Sequence, residues 1–243
     1  MKILGYSERG AMNALFYGMA FDKHQGESSL KEFFKLAGIS GDFSDFELFN
    51  EFSLSEFGDP DLIIKAKNAN AEGVLFFIEA KASCGKKFDL SNQIKYHDDY
   101  MNGGNKYEKG HASNLFFQLR LKSYFFKRLK DNNCEQKLPY PSEYKTQKRL
   151  EVKSDNVCRT IGKNIVVKKL VNEIKDCTQV YYIAIIPNSR SIAIDDRNKY
   201  GFEIHTISWE TITEKFDMYV GETIRFNQDR NEKNKEISQI LNN

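Results

Sequence analysis

The stretch that decides the fold is VLFFIEAKAS, residues 74–83. Val74 to Ile78 is an unbroken apolar run, the mark of a strand buried on both faces. It passes directly into Glu79, Ala80 and Lys81 before any turn residue intervenes. Side chains at i and i+2 of a strand share a face, so Glu79 and Lys81 are expected on one side with Leu75 and Phe77, and Ile78, Ala80 and Ala82 on the other. A core strand that ends in an acid and a base needs a chemical reason, because uncompensated buried charge is costly.

Immediately upstream, DLIIK (61–65) reads as a second strand, with Pro60 tolerated at its start. The intervening AKNANAEG suits a hairpin turn, so the two strands are expected to pair antiparallel. Asp61 then comes beside Glu79 if the register is right.

Working outward, Ala11, Met12, Leu15, Phe16 and Met19 recur at helical spacing and imply a helix over about 7–21. Ser29 with Glu32 resembles a capping box, opening a second short helix that Gly38 stops. A first strand is expected at about 46–54, and helices at about 90–101, 112–131 and 161–176. Strands at about 180–187 and 202–208 and a short helix near 209–217 complete the reading. The polar stretch of about 132–158, with Pro139 and Pro141, reads as a loop or insertion edge. The expected fold is α/β: a central mixed β-sheet flanked by helices, in the order α-β-β-β-α-β-β with helical additions. One domain would span 1–243, with a helical or loop insertion at about 85–160 and a polar C-terminal tail at about 222–243.

Composition narrows the function classes. With 36 basic against 34 acidic residues the net charge is +2, so any nucleic-acid surface must be local. The four cysteines show no C-x-x-C pair, which disfavours a zinc ribbon or thiol-redox site and suits a reducing cytoplasm. Glu8 and Arg9 arrive before any long apolar stretch, so neither a secretory signal nor a membrane anchor is expected. The four histidines lack zinc-site spacing, and no Walker, Rossmann or G-x-S-x-G motif is present.

Two carboxylates and a lysine at the end of a central sheet are costly to bury unless something compensates the charge, and a hard divalent cation does so. Mg²⁺ takes one or two protein carboxylates and keeps waters, leaving room for a phosphate oxygen and an attacking water. The pattern GDPDLII (58–64) followed by IEAK (78–81) resembles the PD-(D/E)xK nuclease superfamily, which has a restriction-endonuclease-like fold and includes RecB-like nuclease domains. Pro60 and Asp61 match its PD, and Glu79 with Lys81 match its ExK. The resemblance implies that Asp61, Glu79 and the Ala80 backbone carbonyl bind Mg²⁺, with Mn²⁺ as a substitute, and that Lys81 serves the nucleophilic water. Catalytic residues would thus be Asp61, Glu79 and Lys81.

Relatives place a first-helix Glu near the metal, and Glu8 is the candidate here; a Glu in a first turn also favours the helix dipole without any site role. Gln93 and Tyr96 follow the lysine strand much as a Gln and Tyr do in RecB-like members, though three apart rather than four. They are candidates to support the site, or simply an amphipathic surface. Between Leu119 and Lys153 stand ten Lys or Arg and four Asp or Glu. That run could contact phosphates through Arg120, Lys122, Lys127, Arg128, Lys148 and Arg149, or be a solvated helix face. Residues 38–61 carry seven acids and no base, from which Glu47 or Glu51 could add a metal ligand or lie exposed.

The expected function is therefore a Mg²⁺-dependent nuclease, a DNA rather than RNA endonuclease of restriction, defence or repair type. It would be cytoplasmic and not membrane-bound, and a homodimer if it cuts both strands. The alternative is a catalytically silent nuclease-like module that binds nucleic acid or a protein partner.

Overall fold

The computed structural model describes residues 8–50, 52–81, 90–101, 114–130, 137–139, 156–158, 161–162, 164–187 and 201–241. In chain order these form α1 (Glu8–Phe21), α2 (Gly26–Leu36), β1 (Ser44–Asn50), a 3₁₀ turn (Ser55–Phe57), β2 (Leu62–Lys67) and β3 (Gly73–Ala80). Then come α3 (Leu90–Met101), α4 (Leu115–Lys130), β4 (Lys137–Pro139), β5 (Asn156–Cys158), α5 (Ile165–Ile174), β6 (Gln179–Ile186), β7 (Ile204–Ser208) and α6 (Trp209–Leu241).

The main sheet is open, mixed and five-stranded, in the order β1-β2-β3-β6-β7. β1, β2 and β3 pair antiparallel, while β3–β6 and β6–β7 are parallel and reached by crossovers. This is the expected α/β arrangement of a mixed sheet flanked by helices. Apolar side chains alternate along β3 between two cores. Val74, Phe76, Ile78 and Ala80 join α1, α2 and the start of α6, where Phe76 stacks on Phe34 with ring centroids 4.0 Å apart. Leu75 and Phe77 join α4 and α5 on the opposite face. β3 is thus covered on both sides, which is why its sequence is apolar without interruption.

The β2–β3 turn is made by Asn68: its side chain accepts from the N–H groups of Asn70 and Glu72, and Ala71 adopts φ +61°. Gly73 has a different task. It begins β3 against Cys177, whose Sγ would lie 2.9 Å from an added Cβ.

Several boundaries differ from expectation. α2 begins at Gly26 after Gln25, so Ser29 and Glu32 lie inside it and cap nothing. The chain enters α2 through Asp22, whose Oδ1 accepts from His24 and Gln25 N–H. β1 starts earlier, at Ser44, and its Lys65 and Lys67 partners on β2 pair with Glu47 and Asp45. The stretch of about 132–158, expected as a loop or insertion edge, contains the small β4–β5 ladder. The C-terminal stretch expected as a polar tail is helical to Leu241, with one break at Phe216 (φ −126°, ψ 29°). Among the described residues no helix is long and apolar enough to cross a membrane.

Candidate active site

β2 and β3 pair with Leu62 opposite Ile78 and Ile63 opposite Phe77, so Asp61, one residue further, lies across from Glu79. Asp61 Oδ2 accepts a hydrogen bond from the Ala80 N–H at 2.8 Å. The carboxylate thereby extends the ladder one rung beyond the strand and joins the two halves of the motif. Gly58 makes this approach possible: it leaves the 3₁₀ turn at φ +74°, which a side chain would strain, and turns the chain toward buried Pro60.

Glu79 has no exposed surface, and it faces the α4 side together with Leu75 and Phe77. Lys122 of α4 meets it there, Nζ 2.8 Å from Oε1, with both side chains 1 % exposed. The approach is at ion-pair distance but off the line of a well-directed hydrogen bond, and Oε2 has no hydrogen-bond partner among the described residues. Burial pushes the Glu79 carboxyl up to about 7. The charge of Asp61 adds to that rise, while Lys122 and Lys81 oppose it.

Lys81 lies one residue past β3 and is held by its backbone on two sides. Its N–H donates to the Ile185 carbonyl at 2.8 Å, and its carbonyl accepts from Trp209 Nε1 at 3.1 Å. Its Nζ stands 4.0 Å from Glu8 Oε1, at the start of α1. Glu79 and Lys81 take different ion-pair partners, Lys122 for one and Glu8 for the other, while the Lys81 charge still acts on Glu79.

The structure thus gathers Asp61, Glu79, Ala80, Lys81 and Glu8 at one end of the sheet. Gln93 sits on α3 and clamps the start of α4: its Oε1 accepts from Leu115 N–H at 3.0 Å, and its carbonyl accepts from Asn114 Nδ2 at 2.7 Å. Asn114 caps the same helix by accepting from Phe117 N–H. Gln93 therefore acts on the helix that carries Lys122. Tyr96 is 61 % exposed on α3.

Of the basic residues expected on an arm, Arg120 donates to Tyr124 Oη from Nε and Nη2, at 3.1 and 2.9 Å. Arg120 and Lys127 also lie 5.4 and 5.7 Å from the Tyr124 ring centre. Arg128 follows on the same helix. Lys122 is not on that outer face but is buried at Glu79. Lys148 and Arg149, like Glu51, fall outside the described residues. Glu47 pairs with Lys65 on the exposed side of β1 and β2. His97 and His205 are buried beside the rings of Phe116 and Tyr181.

Two positions beside the site were not given these places by the sequence: Lys122 was expected as a phosphate contact or on a solvated helix face, and Trp209 was not singled out. Lys122 carried a readable signal, since it follows Leu115 and Leu119 by seven and three residues and so belongs to the inward stripe of α4. Trp209, which fixes the Lys81 carbonyl, carried none.

Among the described residues no three His, Cys, Asp or Glu side chains form a ready cage for an ion. Two carboxylates plus backbone and water oxygens are nonetheless what Mg²⁺ uses, and Glu79 Oε2, which has no hydrogen-bond partner among the described residues, is a hard oxygen donor. The residues present fit that metal. No protein-family model, curated protein or solved structure matches this chain.

Proposed function

We propose that this protein is a divalent-metal-dependent nuclease of the PD-(D/E)xK kind, cutting DNA phosphodiester bonds by attack of water, and that its sheet is a restriction-endonuclease-like core. The observation that carries the reading is the hydrogen bond from Ala80 N–H to Asp61. It makes the aspartate of one motif half and the Glu-Ala-Lys of the other a single local structure. The strand order β1-β2-β3-β6-β7, with the motif on the two neighbouring strands β2 and β3, supports the same reading.

Asp61, Glu79 and the Ala80 carbonyl would hold the ion. When bound, Mg²⁺ or Mn²⁺ supplies Lewis-acid polarisation of a phosphate oxygen and a more acidic water. Asp61 is already oriented by its hydrogen bond from Ala80, and Glu79 is fixed by burial beside Lys122. Lys81, its backbone held by Ile185 and Trp209, positions the attacking water and balances charge that develops on the phosphate. Glu8, 4.0 Å away, orients the Lys81 ammonium. Cleaving both strands of a duplex would call for a second copy.

The test is incubation with linear, circular and single-stranded DNA and with RNA, in Mg²⁺, Mn²⁺ or EDTA, comparing wild type with Lys81→Ala. Metal-dependent cutting of DNA that the variant lacks is the expected result. Cutting that survives both EDTA and Lys81→Ala overturns the proposal.

One observation favours a second reading, the silent binding module: the Glu79 charge is already met by Lys122. Under it, DNA is bound equally with EDTA or Mg²⁺ and is never cut.

A further inference from the structure

Lys122 is the one charged residue among the buried side chains of α4, where its neighbours are Leu115, Phe116, Leu119, Leu121 and Phe125. An ion pair in such a place does not stabilise more than apolar packing of similar volume would, so its presence asks for another reason. Three features locate that reason at the proposed metal site. Its Nζ contacts Glu79, the carboxylate that sits opposite Asp61. The other oxygen of Glu79 is left without a partner among the described residues. The ammonium also lies over Gly58, where an added Cβ would stand 3.3 Å from Nζ, so the turn leading to Asp61 is shaped around it.

We infer that Lys122 is an internal stand-in for the metal: its ammonium occupies the cation position at Glu79, and a divalent ion loads only by displacing it. This rests on the proposed nuclease reading. An ammonium and a divalent ion drawn to one carboxylate repel each other, so each weakens the other's hold on it. Metal-free protein keeps a neutralised core, and the affinity for metal is weakened by the need to release the lysine.

The experiment is Mn²⁺ binding without nucleic acid, read from the electron paramagnetic resonance of free Mn²⁺, for wild type, Lys122→Met, Lys122→Gln and Asp61→Asn. Both Lys122 variants should bind Mn²⁺ at least about tenfold more tightly than wild type, and Asp61→Asn should bind it much more weakly. Because Lys122→Met puts a folded core at risk, a second measurement uses wild type alone. The ¹⁵Nζ resonance of Lys122, assigned through its own side-chain carbons, should shift as Mg²⁺ saturates the protein. Lys122 variants that bind Mn²⁺ no more tightly than wild type, or an ¹⁵Nζ signal unmoved at saturation, overturn the inference; if Asp61→Asn still abolishes binding, the nuclease reading survives. Absence of Mn²⁺ binding in every form overturns both.

Discussion

The Asp61 carboxylate takes the place of a backbone acceptor for Ala80, 2.8 Å from its N–H, so one side chain both ends a strand pair and fixes a candidate metal ligand. Structure and chemistry at this position can be separated by substitution. Asp61→Asn keeps an oxygen for Ala80 and removes the charge, so the fold should hold while cleavage falls by about a hundredfold or more. Asp61→Ala also leaves a buried N–H unpaired, with a stability loss of about 1–3 kcal/mol. Urea denaturation beside cleavage assays reads the two effects, and equal stability of the two variants would contradict the bridging role.

Lys122 and Glu79 make a second test. Removing one partner of a buried pair strands the other, and Lys122→Met should destabilise by about 3–5 kcal/mol. Adding Glu79→Gln to it should restore much of that loss, because no charge then remains to strand. A double variant no more stable than Lys122→Met would show that packing, not charge, sets the effect.

Stability should also carry the pH signature of Glu79. Burial raises its carboxyl from 4.5 to about 7, so between those values the folded chain holds a proton that the unfolded chain has released. Stability from this group therefore falls as pH climbs through that window and levels off above it. The difference in unfolding free energy between wild type and Glu79→Gln, measured from pH 4.5 to 8, should change in that sense; a flat difference would remove Glu79 as its source.

The start of α2 has the opposite sign. Asp22 is held below its ordinary value of 3.8, first by Tyr219 Oη, which donates to Oδ2 at 2.8 Å, and then by the N–H groups of Gln25 and His24. Its contribution is present above that ordinary value and fades as pH falls through the lowered one. Tyr219→Phe should weaken the protein at neutral pH and lose that effect in acid, as thermal melts from pH 2 to 7 would report. A penalty unchanged across that range would point instead to the hydroxyl's other contact, with Ser29 Oγ at 3.3 Å.

The core has its own test at Phe76, which stacks on Phe34 and Tyr181 and meets Phe43 edge-on. Phe76→Ala should cost about 3–5 kcal/mol. A shift in denaturation midpoint worth less than about 1 kcal/mol would mean that the surrounding helices close the cavity.

What the sequence revealed follows from how local each cause is. The apolar run at 74–78 and its partner at 61–65 announce themselves because strand burial writes a continuous pattern, and the charges at 79 and 81 stand out against it. The start of α2 was misplaced because Ser29 and Glu32 satisfy a capping pattern while lying inside the helix, the entry being made instead by Asp22. The β4–β5 ladder has three residues a side, too few to show a period. Lys122 was read as a phosphate contact or solvated face because the basic run around it masks its place on the inward stripe of α4; its partner is a glutamate on β3. The division of partners between Glu79 and Lys81 was hidden as well, since alternation along a strand does not say which helix meets each side chain.

The hydrogen bond from Trp209 Nε1 to the Lys81 carbonyl joins positions 128 apart in the chain, and β6, which holds the Lys81 N–H, lies far downstream as well. A ribosome delivers residues in order, so Asp61, Glu79 and Lys81 emerge long before the elements that fix Lys81 in place. Until then β3 is an outer strand with an open edge, exposed to pairing with other chains. A site so dependent on late-arriving segments stays unformed while the chain grows, so under the proposed function cleavage would begin only after Trp209 has packed into place.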